Sequence, residues 1–181
     1  MSELVAFDLV DHHGTPVTAE TYRGRWLMVQ FGFTACRVVC PRALAKLDAA
    51  LDGLRARPVP LYVTVDPDRD SPDVLRTHLE AAHPRFTGLT GNPGQIERAK
   101  QAFQIFARRR PDAEDPDGYA VPHTAITHLV DPDGRRVAHW ADTVPADRIA
   151  ADLVARLAVA DVSAAGSPPW GRSRRAGCRC R

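Results

Sequence analysis

Residues 26–41 read WLMVQFGFTACRVVCP and place two cysteines between an apolar run and the start of a predicted helix. The run from Trp26 to Phe33 is almost continuously apolar, which is typical of a strand covered on both faces. Leucines at spacings of three and four follow between Pro41 and Arg57, and this periodicity predicts an amphipathic helix. The thiols of Cys36 and Cys40 are therefore expected where a buried strand turns into a helix.

The rest of the chain alternates between predicted strands and helices. Strands are predicted at 60–65, 86–89, 124–130 and 136–140, and helices at 71–82, 93–108 and 145–160, with a polar loop at 110–119. Buried strands separated by helices indicate parallel pairing through right-handed crossovers, and the last two strands form an antiparallel hairpin. We therefore predict an α/β, thioredoxin-like fold of three layers with a mixed central sheet, a helical insertion and an N-terminal hairpin.

The composition fits one folded domain followed by a tail. The chain has 181 residues, 44% of them apolar, which is enough for the core of one compact domain. Five arginines and no acidic residue follow Val162, so acidic residues outnumber basic ones in the body, which argues against nucleic-acid binding. We predict a domain over 1–162 and a flexible tail over 163–181. No apolar run is long enough for a membrane span, and no signal sequence is evident.

The two cysteines have the spacing and location of reactive thiols. Pro41 suits the first position of a helix, which puts Cys40 at or beside the N-cap, where the helix dipole favours a thiolate. Arg37 is expected to act in the same direction. With three residues between them, the sulfurs of Cys36 and Cys40 can close a small disulfide loop or bind one ion. Paired thiolates are soft ligands that select Cu(I) or zinc.

A histidine is the best candidate for a third ligand. Of the seven histidines, His123 directly precedes the predicted strand at 124–130. In a thioredoxin-like sheet the start of that strand lies beside the N-terminus of the first helix. We therefore expect the His123 imidazole to reach the sulfurs of Cys36 and Cys40 and to complete a three-donor metal site.

Four stretches of the chain together resemble the Sco/SenC family of copper-binding proteins. They are FGFTACRVVCP at 31–41, VTVDPDRDSP at 63–72, GLTG at 88–91 and VPHTAITHLVDPDG at 121–134. The motifs occur in the family's order, and the resemblance extends from about Phe7 to about Ala160. Several motifs in one order are far more specific than any single motif.

The resemblance implies a function and a ligand set. It implies a copper chaperone, with Cu(I) or Cu(II) as the metal, that assists assembly of the binuclear copper site of cytochrome c oxidase. It maps the family's two cysteine ligands onto Cys36 and Cys40 and the distal histidine ligand onto His123. The implied partners are the copper-bearing subunit of the oxidase or another copper chaperone. The implied location is extracytoplasmic, at the periplasmic face of a membrane.

Three features depart from the family pattern. Arg37 and Val38 stand where the family usually has Pro-Asp, and Pro122 stands where an Asp usually precedes the histidine. The site is therefore more positive, and we expect weaker Cu(II) binding with thiolates that stay reactive. The family is usually membrane-tethered, whereas this chain begins a few residues before the fold, so an anchor was removed or the protein is an untethered relative. A cytoplasmic location stays open.

Other functions of the same residues remain open. A thiol–disulfide oxidoreductase would use Cys36 and Cys40 without a metal, so enzyme status is undecided, with a metallochaperone favoured. A redox or copper sensor also stays open. A thiol peroxidase fits poorly, because Thr34 is only two residues before Cys36 and no proline precedes it at the required spacing.

The remaining polar motifs are interpreted as structural. Asp66, Asp68 and Asp70 are assigned to turn and helix-cap chemistry, with partner docking as the alternative. The other histidines form a solvated pair at 12–13, structural positions at 128 and 139, and positions without a partner pattern at 78 and 83. Cys178 and Cys180 are taken as an incidental end of the tail. Ile96, Phe103 and Phe106 are predicted to lie in the core.

Overall fold

A seven-stranded mixed sheet lies at the centre of the computed structural model, which describes residues 4–165. Its strands are β1 Asp8–Asp11, β2 Pro16–Thr18, β3 Leu27–Gly32, β4 Val59–Thr64, β5 Thr87–Thr90, β8 Ile126–Val130 and β9 Arg136–Ala141. Two short strands, β6 Arg110–Pro111 and β7 Tyr119–Ala120, pair separately. The helices are α1 Val39–Leu51, α2 Pro72–Ala82, α3 Pro93–Phe103 and α4 Ala146–Ala165.

The strand order, β2-β1-β5-β4-β3-β8-β9, confirms the predicted mixed sheet. Strands β3, β4 and β5 are parallel, because α1 and α2 carry the chain back between them. Strand β8 pairs antiparallel with β3 and with β9, and the N-terminal hairpin β1–β2 pairs antiparallel with β5. The carboxyl ends of β3, β4 and β5 therefore meet at one end of the sheet. The loop at 33–38, which holds Cys36 and is called the thiol loop below, leaves from this end.

Apolar side chains cover both faces of this sheet and give the predicted three layers. Phe31 of β3 packs on one face with Phe103 of α3, their ring centroids 5.4 Å apart. Alternate strand residues such as Met28 and Tyr62 point to the other face, where they meet buried side chains of α1, α2 and α4. Buried strands with apolar residues on both faces were expected from the run at 26–33.

Two predicted helix boundaries are wrong. Helix α1 begins at Val39 rather than at Pro41, because a proline is tolerated throughout the first turn, where the N–H groups have no intrahelical partner. It ends at Leu51 rather than at Arg57, and Gly53 follows with a φ of 75°. Cys40 is therefore inside the first turn of the helix and not at its N-cap.

Helix α3 also ends early, at Phe103, and this changes the environment of one aromatic residue. Gln104 caps the helix in the left-handed conformation, with a φ of 57°, so the chain leaves the helical path there. Ile105 turns into the core, but Phe106 is 71% exposed. The prediction that Phe106 lies in the core is therefore wrong, whereas Ile96 and Phe103 are buried as predicted.

The chain differs from the prediction in two further segments. The predicted polar loop at 110–119 is part of a hairpin, because β6 pairs antiparallel with β7. Helix α4 continues to Ala165 and so passes the predicted end at Ala160. Residues 166–181, with Cys178 and Cys180, lie outside the described residues. Within 4–165, the helices are too short or too polar to cross a bilayer.

A side chain at Gly32 should destabilise the fold, because the Tyr62 ring occupies the space beside it. A Cβ atom built at Gly32 collides with the hydroxyl and ring of Tyr62, which is fully buried. We expect Gly32→Ala to lower the free energy of unfolding by about 1–3 kcal/mol in a denaturant titration. Gly94→Ala, in the first turn of α3, meets only the ends of two side chains, Asn92 at 3.3 Å and Arg98 at 3.7 Å, and is the control. Equal losses in both variants would contradict the prediction.

Candidate functional site

The two predicted thiols are in contact at the N-terminus of α1. Strand β3 ends at Gly32, and the Cys36 N–H donates to the Phe33 carbonyl in a turn. Cys36 is half-buried and Cys40 is buried, and neither forms a disulfide. The Cys40 backbone N–H donates to the Cys36 Sγ at 3.4 Å. The first turn of α1 thus directs its free N–H groups at the Cys36 sulfur.

The negative charge belongs to Cys36 and not to Cys40. A hydrogen bond from the Cys40 thiol lowers the pKa of Cys36 to about 5, assisted by the backbone N–H groups of Val38, Val39 and Cys40 and opposed by burial. The same hydrogen bond, with burial, raises the pKa of Cys40. The sequence interpretation, with Cys40 at or beside the N-cap, favours a thiolate at Cys40, whereas the structure favours it at Cys36. Arg37, expected to assist the thiolate, instead donates to the backbone carbonyl of Glu114.

A buried aspartate fixes the start of the thiol loop. Asp70 has no exposed surface, and its Oδ2 accepts from the Thr34 N–H at 3.1 Å and from the Thr64 hydroxyl at 2.6 Å. Its Oδ1 accepts from the Thr34 hydroxyl at 2.5 Å. Burial raises the pKa of Asp70, and the hydrogen bonds from Thr34 and Thr64 oppose that shift. Asp70 therefore links the loop after β4 to the thiol loop at Thr34, which is two residues before Cys36.

This role corrects the interpretation of the acidic loop. Asp66 and Asp70 are both buried, so they cannot form the docking surface that was the alternative to cap chemistry. The cap of α2 is Ser71, as predicted, and its side chain accepts from the Val74 N–H. Asp66 and Asp70 instead bind groups on other segments. The sequence contains one signal for this role, because carboxylates follow a strand that is predicted to be buried and parallel.

A stacked cluster holds the 110–120 hairpin beside this loop. The Tyr119 ring lies between two guanidinium groups, with the Cζ of Arg69 at 3.9 Å and the Cζ of Arg109 at 4.0 Å from the ring centroid. The Tyr119 hydroxyl donates to Asp66 Oδ1 at 3.1 Å, and Arg69 pairs with Asp66 at 2.5 Å and with Asp115 at 3.0 Å. The strand that leads to His123 is therefore anchored next to the thiol loop.

His123 lies at the same end of the sheet but faces backbone atoms. Its Nδ1 is 3.0 Å from the Val121 carbonyl oxygen, and its Nε2 is 3.1 Å from the carbonyl oxygen of Phe31 in β3. Its ring packs edge-to-face on Phe33 with the centroids 5.9 Å apart. The structure thus brings Cys36 and Cys40 together and puts His123 beside the strand that precedes them.

The three expected donors do not converge here as a metal site. Within residues 4–165, no three His, Cys, Asp or Glu side chains are arranged to hold a metal ion. The two thiols in contact can supply a pair of soft donors, and Cys36 is the more exposed of the two residues. The participation of His123 stays a prediction.

Two other histidines differ from their sequence interpretation. His12 is buried, and its Nδ1 accepts from the Gly88 N–H at 2.9 Å, so the prediction that it is solvated is wrong. His83, for which no partner was expected, has its Nδ1 2.5 Å from Asp48 Oδ2. His128 is structural, as predicted, because it is buried in β8 and burial lowers its pKa to about 4.

The mixed sheet, the flanking helices and a thiol pair at the N-terminus of the first long helix define a thioredoxin-like dithiol protein. Within that class, the sequence matches the SCO1/SenC family over residues 2–158. The chain belongs to the SCO1/SenC family. The resemblance drawn from the four motifs is thereby confirmed.

Relatives in sequence come from bacteria and from mitochondria. A SCO2-like protein of Rickettsia prowazekii (strain Madrid E) is 34% identical over 146 residues, covering 79% of this chain and 71% of that one. The mitochondrial SCO2 homolog of Homo sapiens is 34% identical over 148 residues, covering 79% of this chain and 55% of that one.

Solved structures of the family share the fold. Arabidopsis thaliana ScoI with copper bound has a TM-score of 0.81 at 28% identity and covers 86% of this chain and 98% of its own. Yeast Sco1 with copper bound has a TM-score of 0.80 at 28% identity, covering 93% and 97%. BsSco, described with a disulfide switch, has a TM-score of 0.66 at 25% identity, covering 85% and 92%.

Removal of the Cys40 donor should raise the pKa of Cys36. We expect the rate of Cys36 alkylation to rise with pH around a midpoint near 5 in the native chain, because the thiolate is the reacting form. Cys40→Ser keeps a hydroxyl donor and should stay close to that midpoint, whereas Cys40→Ala should move it upward. Mass spectrometry of the peptide that holds Cys36 separates it from the other cysteines. The same midpoint in both variants would contradict the assigned cause.

The ionised Cys36 should also make the stability depend on pH. The pKa of Cys36 falls from 9.0 to about 5 on folding, so its thiolate stabilises the fold fully above about pH 9. That contribution should disappear as the pH falls towards 5. Denaturant titrations across this window should show a loss in the native chain that Cys36→Ser does not share.

Loss of the Asp70 carboxylate should destabilise the thiol loop and the fold. Asp70→Asn turns an amide N–H₂ towards hydroxyl and N–H groups that now donate to a carboxylate, so we expect a loss of about 1–3 kcal/mol in the free energy of unfolding. Asp68→Asn is the control, because Asp68 is exposed and its pair with Arg109 is worth at most about 1 kcal/mol. Denaturant titration measures both. A smaller loss for Asp70→Asn than for Asp68→Asn would refute this role.

Proposed function

We propose that this chain is a copper-binding protein that assists assembly of the copper site of cytochrome c oxidase. The observation that carries the proposal is the pair of contacting thiols, Cys36 and Cys40, at the N-terminus of α1 in a SCO1/SenC protein. Family members of the same fold, from Arabidopsis thaliana and yeast, were solved with copper bound. The protein acts by transferring its metal and not by turning over a substrate.

Cu(I) is the form that the thiol pair suits best. Soft thiolates prefer a soft monovalent ion, and Cys36 supplies a ready thiolate, since its pKa is about 5. Cys40 keeps its proton at neutral pH, because burial and the bond to Cys36 raise its pKa. Metal binding by both sulfurs therefore releases the Cys40 proton. Entry is from the Cys36 side, because Cys36 is half-buried and Cys40 is buried.

His123 is our candidate for the third ligand, used with Cu(II). Carbonyl oxygens only accept hydrogen bonds, and an imidazole that ligates a metal is neutral and has one N–H, so in that form only one of its two carbonyl contacts can be a hydrogen bond. An N–H on Nδ1, donated to Val121, leaves the Nε2 lone pair facing the Phe31 oxygen. A ring turned away from Phe31 with the Val121 bond kept would offer Nε2 to the metal, the usual arrangement of a ligating histidine.

The partner and the location are part of the proposal. The acceptor or donor of copper is the copper-bearing subunit of cytochrome c oxidase or another copper chaperone. The exchange takes place at the extracytoplasmic, periplasmic face of the membrane. The relative named as a mitochondrial SCO2 homolog supports a site of action outside the cytoplasm.

Copper titration tests the ligand set directly. We expect the native chain to bind one Cu(I) against a competing chelator and to lose it in Cys36→Ser and in Cys40→Ser, because one thiolate cannot hold the ion alone. His123→Ala should keep Cu(I) but lose Cu(II), measured by its thiolate-to-copper absorption.

The exposed His13 provides the matched control for His123. His13→Ala removes an imidazole whose Nε2 is 3.0 Å from that of His12, far along the chain from the thiols, and should leave both forms of copper bound. Tight copper binding that survives both Cys36→Ser and His123→Ala would end the proposal. Loss of copper in His13→Ala would instead assign the metal to the 12–13 pair.

A thiol–disulfide oxidoreductase is the second candidate, and the unequal thiols favour it. Cys36 is the attacking thiolate, and Cys40 resolves the mixed disulfide after it loses its proton. This function needs no histidine. A reductase assay on a disulfide substrate should therefore show full activity in His123→Ala and none in Cys36→Ser, whereas Cu(II) binding should depend on all three residues.

A further inference from the structure

Exposed apolar side chains are concentrated around the thiol loop. The large apolar residues that are exposed in the part of the chain with described side chains are Leu4, Val38, Val39, Val74, Phe106 and Val154. Four of these surround the site. Val38 and Val39 lie between the cysteines, Val74 lines a groove with Thr34, and Phe106 lines a groove with His123. Apolar surface gathered in one place marks an interaction face.

The groove next to His123 has a defined shape and composition. It has a volume of about 410 Å³ and is lined by Phe106, Arg108, Arg110, Pro122, His123 and Thr124. Its walls come from two extended segments that pair through backbone bonds, including one from the Thr124 N–H to the Phe106 carbonyl. The lining combines one exposed aromatic ring with two guanidinium groups and contains no carboxylate.

The two arginines of the groove are available for an outside partner. Side chains alternate along an extended segment, so Arg108 and Arg110 share a face that Arg109 does not. Arg109 instead pairs with the exposed Asp68 at 2.7 Å and with the buried Asp66 at 3.3 Å. Among residues 4–165, no carboxylate forms an ion pair with Arg108 or Arg110.

We propose that this groove docks an acidic segment of the partner protein whose thiols or copper ligands exchange with Cys36. Carboxylates of that segment pair with Arg108 and Arg110, and an apolar side chain covers Phe106. The inference rests on the proposed function, because that function is what brings a partner protein to the thiols. The position next to His123 and the concave shape favour a protein segment over a lipid surface.

Thiol exchange with charged peptides measures this docking without any metal. The probes are short cysteine peptides of equal length, one rich in Glu and Leu and one rich in Lys and Leu, each joined to thionitrobenzoate by a disulfide. The Cys36 thiolate attacks the peptide sulfur and releases coloured thionitrobenzoate. Cys40, as it loses its proton, then attacks Cys36 and releases the peptide thiol. One disulfide is reduced and one forms, between Cys36 and Cys40.

The acidic peptide should react about tenfold faster than the basic one at low salt. Arg108→Glu combined with Arg110→Glu should reverse that preference, and added salt should reduce it in the native chain. The control is Arg25→Glu combined with Arg55→Glu, the same change of charge on residues that precede β3 and β4 at the opposite end of the sheet. This control should keep the native preference.

Further variants keep the test decisive. Phe106→Ser should slow the acidic peptide with leucines but not one in which serines replace them. If the double Glu variant fails to fold by circular dichroism, Arg108→Gln and Arg110→Gln singly should each lower the preference. If the control pair changed the peptide preference equally, net charge alone would explain the result and the proposal would be overturned. Binding of phosphatidylglycerol vesicles through Arg108 and Arg110, without peptide preference, would also overturn it.

Copper measurements separate this inference from the proposed function. The variants of Arg108 and Arg110 should bind copper with native stoichiometry, because neither residue is a proposed ligand. A native chain that binds no copper but prefers the acidic peptide would leave the docking groove standing and refute the copper function. A chain that binds copper without any peptide preference would support the copper function and refute the docking groove.

Discussion

The hydrogen bonds that Asp70 accepts from Thr34 and Thr64 are the constraint on which the site depends. They hold the first residues of the thiol loop against the loop that follows β4, so the loop has one path from β3 into α1. That path directs the N–H groups of the first helical turn at the Cys36 sulfur. A charged carboxylate without access to water is costly to bury, and here three donors offset much of the cost.

The site gives different roles to two chemically identical side chains, those of Cys36 and Cys40. Cys36 and Cys40 differ in burial and in which of them donates, and these differences, with the backbone N–H groups directed at Cys36, shift their pKa values in opposite directions. The arrangement serves both proposed functions, because a ready thiolate beside a protonated thiol can begin either metal capture or disulfide exchange. What distinguishes the functions is His123, whose ring must leave the Phe31 carbonyl to act as a ligand.

Local sequence signals predicted the sheet and the helices. They did not predict contacts between residues that are distant in sequence. The buried strand at 26–33, the thiols at the start of a helix and the Ser71 cap could be predicted, because apolar periodicity and capping act over a few residues. Asp70, by contrast, meets Thr34 only in the folded chain. Phe106 was misplaced because the left-handed cap at Gln104 is not a glycine and gave no signal. The orientation of His123 likewise depends on β3.

The proton held by Cys40 has a consequence for recognition under the proposed function. When Cu(I) displaces that proton, one positive charge leaves as another arrives, so the formal charge of the dithiol is the same empty and loaded. An acceptor therefore meets the same net charge at the dithiol in both states. Discrimination between them must come from the shape of the loop or from the position of the imidazole.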